Sequence, residues 1–452
     1  MTIIKLLLTL PLHLITAGFV AFAVVSRKEG HRRATRLSFI LTLVSLLVLI
    51  TLLLAPNPWQ MAFGLSLWVS LLALTIFLAW PNKQDMLPSP PTSVRVDERT
   101  TIFARARLHP GSPEYDAYYQ DHPEHQAVDD AFRANPGLLE PCTRFYDPLL
   151  ASSPEGGFFL TEALCEAVDG PVAAQTVDRS PQDLTDFIKS MAAYHGARDV
   201  GICELQPYHI YSHIGRGSGT YGAPITLDHR YAIALTVEMD HAMLASAPRL
   251  PTVMESARQY AASAQIAVTL AAAIRNLGYS ARAHIDGNYR VIAPLVAKDA
   301  GLGEIGRMGL LMTPRLGPRV RLAVVTTDLP LIVDAPTWDP TVIDFCTHCT
   351  KCAAVCPAQA IPTSERETYP DGTLRWKINP ECCYTYWTKI GTDCGRCMAV
   401  CPYAHADIPI HNLIRFGVAH SATFRRAAIW LDDLFYGKKP RPHDPPPWLD
   451  HA

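Results

Sequence analysis

Apolar residues crowd into the start of the chain, in three runs at about Leu6–Val25, Leu37–Ala55 and Met61–Trp80. Each run approaches the roughly 20 residues a helix needs to cross about 30 Å of hydrocarbon. The pattern therefore predicts three transmembrane helices. Asn57 stands between Pro56 and Pro58, which predicts a very short turn between the second and third. The first run is the poorest span, with Lys5, Pro11 and His13 near its start. Its alternative reading is a cleaved signal peptide, but removing it would still leave a two-helix hairpin.

Beyond the third run the pattern changes. Pro81–Arg95 is proline-rich and reads as a linker, and Lys438–Trp448 reads as an irregular tail. Between them, Tyr231–Val237 and Arg321–Thr326 are short apolar runs with β-branched residues, as buried strands are. Val291–Val296 is strand-like too. Leu184–His195 and Val253–Leu277 carry helical patterns, the second ending at Gly278, a natural stop. Helices alternating with buried strands predict an α/β layer structure. The domain reading is an anchor over 1–82, a linker over 83–100, a mixed domain over 101–338, a cysteine-rich domain over 339–412 and a C-terminal helix with its tail over 413–452.

Charge adds orientation but no polyanionic partner. The formal net charge is −2 at pH 7, so no overall field attracts nucleic acid. Ser26–Arg36 holds Arg27, Lys28, Arg32, Arg33 and Arg36 against a single acid, Glu29. The positive-inside rule puts that loop, and everything after the third run, in the cytoplasm. No twin-arginine export signal precedes the first run.

The twelve cysteines carry the chemistry. Nine fall between Cys346 and Cys401, while Cys142, Cys165 and Cys203 stand alone. Such clustering in a large chain favours metal ligation over a disulfide framework. Cys346-x2-Cys349-x2-Cys352-x3-Cys356-Pro357 matches the ferredoxin run in every spacing, and Cys383-x10-Cys394-x2-Cys397-x3-Cys401-Pro402 repeats it with an expanded first gap. Three thiolates on a tight loop grip one cubane, and the fourth, on the following helix, points to the other. Cys346, Cys349, Cys352 and Cys401 would hold one [4Fe–4S] cluster; Cys383, Cys394, Cys397 and Cys356 would hold the second. Cys382 adjoins Cys383, and spacing leaves either as the ligand. Zinc fits poorly, because this spacing packs the thiols too closely for one tetrahedron. Two clusters form a wire, and the residues before it should hold a redox cofactor or a substrate site.

Gly301-Leu302-Gly303-Glu304-Ile305-Gly306 satisfies GxGxxG. The context fails, because Pro314 and Gly317-Pro318 break any helix that could meet a pyrophosphate. The 17 histidines form no HExxH or other spaced set, and His13 alone is thin support for an intramembrane haem or quinone site.

From about Leu205 onward the chain resembles the reductive dehalogenases. The likeness is carried by Tyr211-Ser212-His213-Ile214-Gly215-Arg216-Gly217, Ile274-Arg275-Asn276-Leu277-Gly278-Tyr279, Asp299 to Arg307, Gly317-Pro318-Arg319-Val320-Arg321-Leu322, Thr327-Asp328-Leu329-Pro330-Leu331 and Cys383-Tyr384-Thr385-Tyr386-Trp387. The resemblance implies a nitroreductase-like α/β (α+β) domain holding base-off cobalamin, joined to a bacterial ferredoxin-like domain with two [4Fe–4S] clusters. Three transmembrane helices in front resemble a self-anchored branch. No Asp-His-x-x-Gly motif is present, which fits a family that leaves the lower cobalt face without histidine.

The resemblance also implies roles. Gly306, Arg307, Gly309 and Leu310 match a loop along the corrin. Tyr260 matches the proton donor, Arg321 its cationic partner with Arg319 as rival, and Asn288 a polar residue near the substrate. An arginine within the apolar run RLAVVT needs a partner in any case, because an unpaired buried charge is costly. A guanidinium there is expected to lower the phenol's pKa.

The resulting expectation is a reductive dehalogenase in the cytoplasmic membrane, facing the cytoplasm. Its partners would be membrane lipid, a small organohalide and an electron donor such as a quinol, ferredoxin or flavoprotein, with no nucleic acid. An epoxyqueuosine-reductase-like enzyme is the alternative; the spans, the near-neutral charge and the lack of a basic groove weigh against it. A non-catalytic electron-transfer subunit is the other.

Overall fold

The structure is a computed structural model that describes residues 2–80, 94–336, 339–370 and 372–449. The chain divides into two units, Met1–Asp85 with Asp407–His443, and Met86–Ala406 with Asp444–Ala452. Each is taken by itself.

The first unit opens with α1 (Thr2–Lys28), α2 (Arg32–Leu54) and α3 (Asn57–Ala79). All three are long and apolar enough to cross a membrane, with mean hydropathies of 2.0, 2.9 and 2.2. The turn at Pro56 works because proline is favoured at a helix start, where its missing N–H costs nothing. Gly64 lets α3 approach α1 closely: a Cβ there would stand 2.8 Å from that of Leu8. Trp68 on α3 donates its indole N–H to the Leu7 carbonyl at 3.0 Å. Small residues at such crossings give the close packing that holds helices together in lipid.

The second unit is built on a four-stranded antiparallel sheet. Its strands are β1 (Asp199–Glu204), β2 (Tyr231–Glu238), β3 (Ala281–His284) and β4 (Val320–Thr327), in the order β1-β2-β4-β3. β2 is buried along almost its whole length, which is why it reads as a continuous apolar run and not an alternating one. α4 (Leu250–Asn276) lies on one face, where Ile266, Leu270 and Ile274 join Ile233, Leu235 and Val325 in the core. The other face is covered by the short helix Ala293–Asp299. The strand-like Val291–Val296 is thus mostly helix; Pro294 in the first turn starts it, and a short apolar run alone does not separate the two states.

The expected linker ends early. Positions 81–93 lie outside the described residues, but Arg95 already donates to the carbonyls of Ile210 and Ile225, at 3.2 and 2.8 Å, and to that of Tyr211. Glu98 is buried, and its carboxylate accepts from the amides of Gly215 and Arg216 and from the Arg216 side chain. The tail is irregular but held, with Leu449 packed on Met243 and Met254.

The chain then departs from the expected layout. α5 (Pro409–His420) and α6 (Ala422–Phe435) belong to the first unit, not to a separate terminal segment. Arg33, at the start of α2, donates to the Leu434 carbonyl at 3.0 Å. His411 meets Glu29, the one acid of the α1–α2 loop, at 2.9 Å, with His411 buried and Glu29 half-buried. Phe22 sits edge-on to Phe435 and Tyr436.

Candidate active site and cluster ligands

Two helices present the first cysteines. Asp339 caps Pro340–Cys349 by accepting from the Thr341 amide at 2.9 Å, and Thr350, left-handed at φ 51°, turns the chain into Lys351–Val355. Cys394 and Gly395 are also left-handed, at φ 58° and 64°, and aim the second loop inward. Gly395 is required there: a Cβ would lie 2.5 Å from the Thr252 side chain.

The thiols gather in two sets. Cys401 lies among Cys346, Cys349 and Cys352, whose proximity, after burial, pushes its pKa well up. Burial first, and then Cys394, Cys352, Cys383 and Cys356, do the same to Cys397. Cys356, four residues after Cys352, therefore faces the second set, and Cys401 the first. Cys383 is half-buried beside Cys356, whereas its neighbour Cys382 is exposed. Eight thiols in two groups, all free of disulfides, are the donor set that soft, multi-iron clusters take.

Arg307, expected beside the corrin, has its side chain engaged with the first cysteine loop. Its guanidinium donates to the carbonyls of Cys346 at 2.9 Å, Pro362 at 2.9 Å, Ser364 at 2.8 Å and Thr347 at 3.3 Å, and lies over the Trp376 ring. It staples the first cysteine loop and places a positive charge beside Cys346. Gly306 is close by, since a Cβ there would come within 3.5 Å of the Cys346 sulfur. Gly309 is exposed at φ 74° and Leu310 half-exposed, so these two leave surface for a ligand. The GxGxxG segment follows a helix, not a strand, as a dinucleotide site would not.

α4 and β4 bring Tyr260 and Arg321 together. The Arg321 guanidinium carbon stands 4.9 Å from the centre of the Tyr260 ring. One turn earlier on the same face of α4, Ser256 accepts from Arg321 at 2.7 Å and donates to Asp393. Asp393 also meets Arg321 directly at 3.3 Å. This is the partner that the buried charge demands. Arg319, the rival, is turned away toward Glu238 at 2.8 Å and the Ala404 carbonyl at 3.1 Å.

Burial raises the Tyr260 pKa above its ordinary value; Arg321 opposes this without reversing it. The expectation of a lowered phenol pKa is thus corrected: low dielectric outweighs the cation, and the hydroxyl stays protonated. Tyr211, pushed up to about 12, and Tyr289, pushed well up, share the same surroundings for the same cause. Arg321 Nε and Asp393 Oδ1 are buried with no hydrogen-bond partner among the described residues. Unsatisfied atoms of this kind mark a place for an unseen polar group or water.

Asn288 is brought elsewhere. It has no accessible surface, accepts from Arg282 at 2.9 Å, and donates to the Cys165 carbonyl at 3.2 Å and Ser218 at 3.1 Å. Its amide is spent bracing the loop at Gly217, where a Cβ would strike it at 2.5 Å. Sequence reasoning missed Asp393 and Ser256. The available signal was an acid directly before Cys394, in a segment whose only other nearby charges are Lys389 and Arg396.

Comparison with known proteins follows the same lines. Residues 345–405 match the family of 4Fe-4S dicluster domains. A tetrachloroethene reductive dehalogenase of Sulfurospirillum multivorans is 31% identical over 298 residues, covering 57% of this chain and 58% of that protein. One from Desulfitobacterium hafniense is 35% identical over 193 residues, 40% of this chain and 34% of that protein. A solved reductive dehalogenase, described for B12-dependent dehalogenation, superposes over 80% of this chain and 49% of its own, with a TM-score of 0.64 at 27% identity. The chain thus spans about half the length of the proteins it matches, or less.

Proposed function

We propose that this homologue of the reductive dehalogenases, with its dicluster domain and three apolar N-terminal helices, is itself a membrane-anchored reductive dehalogenase. The observation that carries the reading is the Tyr260–Arg321 pair, tied through Asp393 to the loop of Cys394. A proton donor and the last ligands of an electron wire meet at one place.

The overall change consumes two electrons and one proton, exchanging a carbon–halogen bond for carbon–hydrogen and releasing halide. A corrinoid, if held here, would supply low-valent cobalt as the reductant of the carbon–halogen bond. Gly309 and Leu310, with the backbone at Gly306, would line it, and the unpartnered Arg321 Nε and Asp393 Oδ1 fit a ligand with polar side groups. The two thiol sets would carry electrons as [4Fe–4S] clusters. Tyr260 holds the proton at its hydroxyl, because burial keeps the phenol neutral. Arg321 then steadies the phenolate that donation leaves, at a distance where a cation over a ring is attractive. Asp393 and Ser256 fix the guanidinium in that position.

The cations of the α1–α2 loop support a cytoplasmic catalytic unit, and a quinol, ferredoxin or flavoprotein would be the donor. The test is anaerobic purification followed by corrinoid extraction, iron analysis and turnover of small organohalides with reduced viologen. Bound corrinoid, about eight irons and halide release are expected. Iron–sulfur absorbance without corrinoid would instead make the chain an electron carrier.

A further inference from the structure

α5 and α6 bear apolar side chains that the first unit leaves uncovered. Leu413 and Phe416 on α5 are 67% and 61% exposed, and Trp430 on α6 is 64% exposed. Ile414, Leu431 and Leu434 extend the set. Scattered single apolar residues are ordinary, but a group of this size on two adjoining helices marks an interaction surface.

What covers it follows from its neighbours. α5 and α6 pack on α2 and α3, so the surface continues that of the spans. Exposed Trp80 ends α3 as Trp430 marks α6, and tryptophan gathers at the level of lipid headgroups. The segment after α6 carries exposed Lys438, Lys439 and Arg441. It lies against the basic α1–α2 loop: a Cβ on Gly437 would stand 3.5 Å from Arg33 Nη1, and one on Gly30 3.3 Å from His443. Exposed Arg27, Lys28 and Arg36 add to the same end. The acidic pair Asp432–Asp433 is half-buried by comparison.

We infer that α5 and α6 are interfacial helices, lying in the headgroup layer of the leaflet on the side of the α1–α2 loop, with the basic 438–441 segment binding anionic phospholipid. An amphipathic helix with aromatic and leucine side chains on one face and cations at its edge takes that position. The His411–Glu29 pair and the Arg33–Leu434 bond hold the helices at the end of the bundle where a leaflet surface would be. The spans anchor the chain whether or not it dehalogenates, so this inference stands apart from the catalytic reading.

The test places a benzophenone amino acid at position 416, 430 or 418 of the full chain. Position 418 is the internal control, because Val418 is buried. Protein with intact iron content is reconstituted in vesicles of phosphatidylcholine, or of equal parts phosphatidylcholine and phosphatidylglycerol, and irradiated. Lipid adducts are expected at 416 and 430 and not at 418. In the mixed vesicles phosphatidylglycerol adducts should exceed their share, and K438Q/K439Q/R441Q should bring that share back toward one half. Adducts at 416 and 430 only to the protein's own chain, to a second copy or to another protein would overturn the proposal. An unchanged lipid preference in the triple variant would overturn its anionic part.

Discussion

Ser256 donates a hydrogen bond to Asp393, joining the helix that carries Tyr260 to the loop that carries Cys394. Arg321 touches both partners, so a sheet residue, a helix residue and a cluster loop share one polar knot. If that knot orients the proton donor, its members should fail in a graded order. Tyr260→Phe keeps the ring but removes the proton, and general-acid assistance is typically worth 10²–10⁴-fold. Turnover should fall by at least about a hundredfold with iron and corrinoid content unchanged. Arg321→Lys should lose less than Arg321→Met, since it keeps the charge and loses only the planar fork. Asp393→Asn should resemble Arg321→Lys, with a lower thermal midpoint because the guanidinium loses its counter-charge. Viologen-driven halide release beside the visible spectrum reads all four, and near-normal turnover in Tyr260→Phe would reassign the donor.

The placing of Cys356 and Cys401 leads to an exchange of fourth ligands. Cys356→Ala should degrade the signal of the cluster held by Cys383, Cys394 and Cys397, although Cys356 is contiguous with the other run. Cys401→Ala should do the reverse. Electron paramagnetic resonance of the two reduced variants tests this, and loss confined to the contiguous cluster in each would reverse the assignment.

Arg307 sets a positive charge against the Cys346 loop and holds the Thiol's segment through its carbonyls. A cation there favours the more negative, reduced cluster. Arg307→Met should therefore make the first cluster harder to reduce, by on the order of 50–100 mV, since about 59 mV is tenfold for one electron. Redox titration followed by resonance would show the shift, and an unchanged potential would leave Arg307 a purely mechanical staple.

Topology can be read with reporters. A phosphatase fused after Trp448 should be inactive and one inserted at the Pro56–Pro58 turn active, on the cation bias of the α1–α2 loop. The opposite pattern would place the second unit outside the cytoplasm.

What the sequence reveals divides by the range of the interaction. The cysteine runs were legible because a cubane demands three thiols on one short loop, a purely local constraint. The spans were legible because lipid demands unbroken apolar length. Arg321 was conspicuous as a charge inside an apolar strand, but its partner Asp393 lies far along the chain, and its one local mark, an acid directly before Cys394, does not say which cation it meets. The bonds of Asn288 and Arg307 were invisible for the same reason. Their side chains are committed to carbonyls and amides that only tertiary folding brings near. One C-terminal helix was legible, but not that there are two, α5 beginning before the expected boundary, and nothing local says that they return to the first unit.

That return makes the first unit a host into whose sequence the second unit is inserted. Its first three helices leave the ribosome early, but α5 and α6 emerge only after the whole of the second unit has been made. Completion of the anchor therefore depends on synthesis having passed both cysteine runs. A chain cut short within the second unit would leave Arg33, Glu29 and Phe22 without their partners from 411–435, an exposed defect by which membrane quality control could distinguish it from the finished protein.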